Sequence, residues 1–276
     1  MERRGWIMAR FWIDNGHGGA DPGATANNLV EKDINLYVGL KIKHHIERHG
    51  QICGITRAGD ITVPLNSRPG MINAFRPDYV VSTHQNAGGG DGYDLIYSKS
   101  KTASLELANR IASEFDKLGQ NKHRIFYRLG EDGRDYYAII RMVNAPSVIA
   151  EYAFLDTKDS KQIDEKHEQD DVARAIAKAM LEQTGIRWIE ELEGDMMERL
   201  VISYGDGDWA AATLTAYKLQ CSVILREIFE AHRNENKSKA YYIIGGPEDY
   251  DVLVAGADVY HLTGPDRINT ARKALK

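Results

Sequence analysis

Four side chains in the first 151 residues have the types needed for hydrolytic chemistry: His17, Glu31, His84 and Glu151. His17 stands in the glycine-rich turn of IDNGHGG, Glu31 opens EKDINL, His84 follows YVVST and Glu151 follows PSVIA. Two imidazoles and a carboxylate form the ligand set of a catalytic zinc site, which keeps a fourth position open for water. These donors alone do not exclude other metals. The remaining carboxylate, Glu151, is then free to take a proton from water acidified by the cation. The combination reads as metal-assisted hydrolysis.

Each residue alone has a plainer explanation. A histidine in a glycine turn serves as a loop donor, and a glutamate in the first turn of a helix meets the positive end of the helix dipole. Glu151 is harder to explain that way, because an unpaired carboxylate after a core strand is expensive to bury. Joint placement is the stronger signal. His17, His84 and Glu151 are expected at the C-terminal edges of three apolar strands, with Glu31 opening a helix on the same side, and that edge is where open parallel sheets bind ligands.

The elements that position them alternate along the chain. ARFWID reads as a strand, EKDINLYVGLKIKHHIERHG as a helix ended by Gly50, and QICGITR as a strand. SRPGMINAFRP reads as a short helix stopped by Pro77, followed by the strands DYVVSTHQN and GYDLIYS and the amphipathic helix SLELANRIASEFDKLG. PSVIAEYAF and DVARAIAKAMLEQTG close the series as strand and helix. The expected fold class is α/β, a layered, mostly parallel sheet flanked by helices, with a second, smaller α/β domain. The boundaries are 1–187 for the catalytic domain, 188–197 for an acidic linker around IEELEGD, and 198–276 for the second domain. In that domain LVISYG, SVILRE, AYYIIGG and VYHLTG read as strands, and DWAAATLTAYKL and DRINTARKAL as helices.

Composition narrows the function classes. The chain has 276 residues, 43% of them hydrophobic, and a formal net charge of −5. That charge disfavours nucleic acid and anionic lipid as bulk electrostatic partners. No segment approaches the length of a membrane span. The opening MERRGWIMARFWID reads as a buried strand rather than a secretion signal, because Arg10 interrupts a short apolar run. The expectation is synthesis in the host cytoplasm without a signal peptide. Cys53 and Cys221 lie far apart in apolar segments, which suggests free buried thiols. His44, His45 and His49 fall in a charged helical segment and read as solvated surface.

The motifs IDNGHGGADPGA, LVEKDINL, ITRAGD, SRPGMIN, VVSTHQNAG, GYDLIYS and PSVIAEYAFLDTKDS, in this order from about residue 10 to 185, resemble those of the zinc-dependent N-acetylmuramoyl-L-alanine amidases of the third type. The resemblance implies that His17, Glu31 and His84 hold one zinc ion and that Glu151 is catalytic. The implied reaction is hydrolysis of the amide between the muramic acid lactyl group and the L-alanine of the peptidoglycan stem, and Asp14 or Asn15 would orient His17. Two departures stand out: Asn15-Gly16 replaces the usual Pro-Gly, and Asp94 stands where a glutamate is usual. Arg57, Asp60, Arg68 and Asn73 also match family positions and are expected to bridge loops.

The C-terminal segments LVISYGDGDWAAATLTAYKLQCSVILRE, AYYIIGG and LTGPDRINTARKAL are similar to the type 2 cell-wall-binding repeat and to endolysin targeting domains. A cell-wall polymer is the implied ligand. Only one copy is present, and so small a core favours homo-oligomerisation through this domain. Met196-Met197, after the linker, suits an internal translation start. The combined expectation is an endolysin released onto bacterial peptidoglycan. Alternatives are a host autolysin or mother-cell-lysis amidase, a zinc peptidase acting on the stem peptide, a wall-binding protein with an inactive amidase domain, and a structural oligomer.

Overall fold

The apolar run FWI in β1 (Arg10–Asn15) is buried on both faces, as a central strand of a covered parallel sheet must be. The structure, a computed structural model, describes residues 8–189, 197–203, 212, 222–226, 238–244 and 258–262. A two-stranded hairpin, β2 (Thr25–Ala26) and β3 (Leu29–Val30), leads into α1 (Glu31–Arg48). Then follow β4 (Ile52–Ile55), α2 (Arg68–Phe75), β5 (Tyr79–Asn86), β6 (Tyr93–Tyr97), α3 (Thr102–Lys117) and β7 (Lys122–Phe126). The short α4 (Ala138–Arg141), β8 (Ser147–Phe154), a 3₁₀ turn (Lys158–Gln162) and α5 (Lys166–Gln183) complete the series.

The sheet order is β4-β1-β5-β8-β6-β7. All pairs are parallel except β6 against β8. Side chains alternate between two cores. Phe11, Ile13, Val81, Leu95, Val148 and Ala150 pack with residues of α1, α3 and α5. Trp12, Val80, Ile96 and Ile149 pack on the other face with residues of α2 and α4. This period of two puts His84, Glu151 and Asp94 on the α2/α4 face.

Helix ends follow local rules. Gly50 (φ 72°) adopts the left-handed conformation just past α1, and Pro77 follows the left-handed Arg76 that caps α2. α5 starts five residues before the expected helix, at Lys166, because Glu165 and Glu168 form a reciprocal capping box. The exposed edge strand β7, KHRIF, carries no apolar alternation and is absent from the sequence-based reading.

His44 and His45 are buried, not solvated, and His45 packs at 5.6 Å from the ring of Trp188. His49 is half-buried and accepts a hydrogen bond from the backbone of Ile189.

The chain divides into two compact units, one of Met1–Ile46 with Gln51–Trp188 and one of Glu47–Gly50 with Ile189–Lys276. The second contains a parallel sheet of order β10-β9-β11-β12, formed by β9 (Met197–Ser203), β10 (Ser222–Leu225), β11 (Ser238–Ile244) and β12 (Asp258–Leu262). β9 begins at Met197, inside the stretch read as linker. The segments read as helices, DWAAATLTAYKL and DRINTARKAL, lie outside the described residues apart from Ala212, as do Cys221 and Met196.

Two buried arginines fix the turn after β1. Arg57 donates to the carbonyls of Asn15, Gly16 and Lys32 at 3.2, 2.9 and 2.7 Å. Arg68 donates to the carbonyls of Asn15 and His17, both at 2.8 Å, and to the Asp14 carboxylate at 3.0 Å. Asp14 also accepts from Thr56 and Ser82. Lys32–Asp60 and the bond from the Gly19 amide to Asp60 pin the outer part of the loop, and Asn73 joins Met142 and Asn144. Removing one member of a buried pair strands its partner. Arg68→Ala is therefore expected to lower unfolding stability by about 3–5 kcal/mol. The exposed control Lys117→Ala should change it by less than about 0.5 kcal/mol. Chemical denaturation of the full chain measures both.

Candidate active site

Glu31 is the first residue of α1 and is buried. Its Oε1 lies 3.1 Å from His17 Nε2 and 2.9 Å from His84 Nδ1. Oε1 also accepts from the Gln85 amide at 3.0 Å, and Oε2 from the Ala24 amide at 2.9 Å. Burial opposes its ionisation, yet the hydrogen bonds and charges of His17 and His84 hold the carboxyl far below its usual range. The imidazole rings stand 4.9 Å apart, nearly perpendicular.

His17 adopts φ 59°, a conformation uncommon for a residue with a side chain. Arg57 and Arg68 hold the carbonyls on either side of it, so the strain is maintained by buried hydrogen bonds. Close packing leaves no room for methyl groups nearby: a Cβ on Gly16 would sit 2.3 Å from the His84 ring. A Cβ on Gly23 would sit 2.5 Å from Glu31 Oε2.

The residue orienting His17 is neither Asp14 nor Asn15. His17 Nδ1 lies 2.8 Å from Asp21 Oδ2. Asp14 is engaged by Arg68, and Asn15 donates its side chain to the Arg57 carbonyl. The available signal was the aspartate four residues after His17, within GHGGADPG. With Nδ1 occupied by Asp21, Nε2 is the atom that His17 presents inward, the arrangement typical of a ligating histidine.

His17, Glu31 and His84 each offer one donor atom, and these atoms all lie within 4.8 Å of one another. Among the described residues they form the one such group of His, Cys, Asp or Glu. Two imidazole nitrogens aimed at one carboxylate oxygen suit a divalent cation of borderline softness. Without a cation, the hydrogen bond to Glu31 raises the His17 pKa to about 9.

Glu151 is the in-register partner of His84, on the adjacent strand. Neither residue ends its strand, as the sequence suggested; β5 runs on to Asn86 and β8 to Phe154. Burial is the main cause that raises the Glu151 pKa to about 7, with the Asp94 and Glu31 carboxylates adding and His84 and Arg124 opposing. A carboxyl poised near neutrality is suited to both taking and giving a proton.

The sequence profile of the N-acetylmuramoyl-L-alanine amidase family matches residues 12–182. The chain belongs to this family. It is 29% identical over 177 residues to the N-acetylmuramoyl-L-alanine amidase CwlM of Bacillus licheniformis, covering 63% of this chain and 68% of that protein. It is 33% identical over 176 residues to the endolysin of Bacillus phage SPP1, covering 62% of this chain and 64% of the relative. The solved catalytic domain of the amidase CwlV from Bacillus (Paenibacillus) polymyxa var. colistinus superposes with a TM-score of 0.58 at 26% identity, covering 65% of this chain and all of that domain. The amidase fold and all four singled-out side chains fall within the matched segment.

The pKa shifts set a pH signature for the cation-free protein. A group raised in the folded state stabilises it below its unfolded pKa and loses that contribution as pH rises through the folded value. His17 thus loses its contribution between about pH 6.5 and 9. Between about pH 4.5 and 7, Glu151 has the same sign of slope. Thermal unfolding in chelator is expected to show the melting temperature falling across both windows, and zinc should flatten the upper one. A flat profile in chelator would contradict the site's electrostatics.

Proposed function

We propose that the protein is a zinc-dependent endolysin, an N-acetylmuramoyl-L-alanine amidase that cleaves the lactyl–alanine amide of bacterial peptidoglycan. The observation that carries this reading is the convergence of His17, Glu31 and His84, with Glu151 next to His84 in the sheet. His17, Glu31 and His84 would hold the zinc ion. When bound, the ion supplies Lewis acidity toward the scissile carbonyl and toward water.

The protein's own groups do the rest. Glu151, ionised at neutral pH with the cation nearby, accepts the proton of the attacking water and passes it to the departing alanine nitrogen. Asp21 keeps the His17 ring in one orientation. The Gln85 and Ala24 amides keep both oxygens of Glu31 fixed, so the carboxylate does not swing into the cleft.

In this reading the protein is synthesised in the host cytoplasm and acts on the wall after release. The C-terminal unit binds a cell-wall polymer and carries the contacts of a homo-oligomer. The similarity to a phage endolysin supports that role. The similarity to a bacterial amidase supports the shared chemistry equally in a host autolysin.

Digestion of purified peptidoglycan with and without chelator tests the reaction. New alanine amino termini without new reducing sugars are expected, and chelation should abolish them. Other new peptide amino termini would indicate a peptidase instead. Glu151→Gln should keep its zinc and lose about 10²–10⁴-fold in rate; a fully active variant would remove Glu151 from the mechanism.

A further inference from the structure

The sheet carries a row of in-register side chains that extends past the proposed catalytic group. His84 on β5 pairs with Glu151 on β8, Glu151 with Asp94 on β6, and Asp94 with Arg124 on β7. The register between β6 and β7 shifts between Tyr93 and Asp94, where Lys122 and Arg124 are the successive partners. His123 is the extra residue, and the irregularity lets it and Arg124 reach the same carboxylate. Asp94 Oδ1 lies 2.8 Å from His123 Nδ1 and accepts from Arg124 Nε at 3.1 Å. Asp94 Oδ2 accepts from Arg124 Nη2 at 2.5 Å and from Asn86 at 2.9 Å.

Asp94 is fully buried, whereas the Arg124 side chain is 53% exposed and that of His123 38%. Arg124 lies over the Phe126 ring at 4.6 Å, and His123 meets Phe154 edge-on at 5.4 Å. A guanidinium locked by a buried carboxylate and an aromatic ring is pre-oriented, with its outer edge presented to solvent.

Resting on the amidase reading above, we propose that Arg124, steadied by Asp94 and flanked by His123, binds a carboxylate of the stem peptide on the leaving-group side of the cleaved amide. Direction and reach both fit. The leaving nitrogen faces Glu151, which protonates it, so the peptide continues away from His84 along the row. Arg124 lies two strands beyond Glu151, about 10 Å. A carboxylate one or two residues past the cleaved bond lies about 5–9 Å from it, and the arginine side chain spans the remainder. Arg124 is thus a specificity residue for peptides with an acidic group next to the alanine.

The test compares two soluble peptides with the zinc-loaded full chain, both with the glutamyl γ-carboxyl blocked as its methylamide: N-acetylmuramoyl-L-alanyl-D-isoglutamate, which keeps the α-carboxylate, and its isoglutamine counterpart, in which that carboxyl is amidated. The wild type is expected to show a KM about tenfold lower for the carboxylate form. In Arg124→Gln this ratio should collapse toward one, with the loss in KM rather than kcat, and Arg124→Lys should recover part of it. Arg134→Gln, at an exposed pair with Asp132, should leave the ratio as in the wild type. An equal loss for both peptides in Arg124→Gln, or no discrimination by the wild type, overturns the proposal. Calorimetric binding of both peptides to zinc-loaded Glu151→Gln reads the same ratio without turnover. Absence of cleavage by the wild type therefore counts against the amidase reading, while equal binding of the two peptides counts against Arg124.

Discussion

A buried carboxylate held at the start of a helix governs this molecule. Glu31 would be costly to bury alone; it is retained because two imidazoles and two backbone amides converge on it. Those donors come from the turn after β1, the residue just before β2 and the strand β5. Their meeting requires the parallel sheet, the glycine turn and the helix start to be built together. The two imidazoles, freed of their protons, and the carboxylate make a donor set that suits a divalent cation.

Support for that convergence lies below the surface. Arg57 and Arg68 tie the backbone carbonyls of residues 15–17 to β4, α1 and α2, and Asp14 anchors Arg68 in turn. These contacts hold His17 in its left-handed conformation. Buried support of this kind fixes the position from which the imidazole is presented.

Much of this was legible in the sequence. Apolar runs and helical periodicity located β1, β5, β8, α1, α3 and α5, and the placement of His17, Glu31, His84 and Glu151 along them identified the cluster. What was not legible depends on register and burial. Asp21 replaced Asp14 and Asn15 as the partner of His17, because the turn folds back on itself within four residues. His44 and His45 read as surface since their neighbours are charged, yet the helix face they occupy is covered, in part by Trp188. β7 is polar and reveals its role only through pairing with β6, where the displaced register directs His123 and Arg124 onto Asp94. No one-dimensional pattern encodes that juxtaposition.

The proposed function requires one divalent cation among His17, Glu31 and His84. Metal analysis of the purified full chain, combined with X-ray absorption spectroscopy at the zinc edge, tests it most directly. One zinc per chain is expected, in a nitrogen and oxygen shell with two imidazoles, together with loss of that zinc in Glu31→Gln. Substoichiometric zinc, a sulfur-containing shell, or unchanged zinc content in that variant would contradict it.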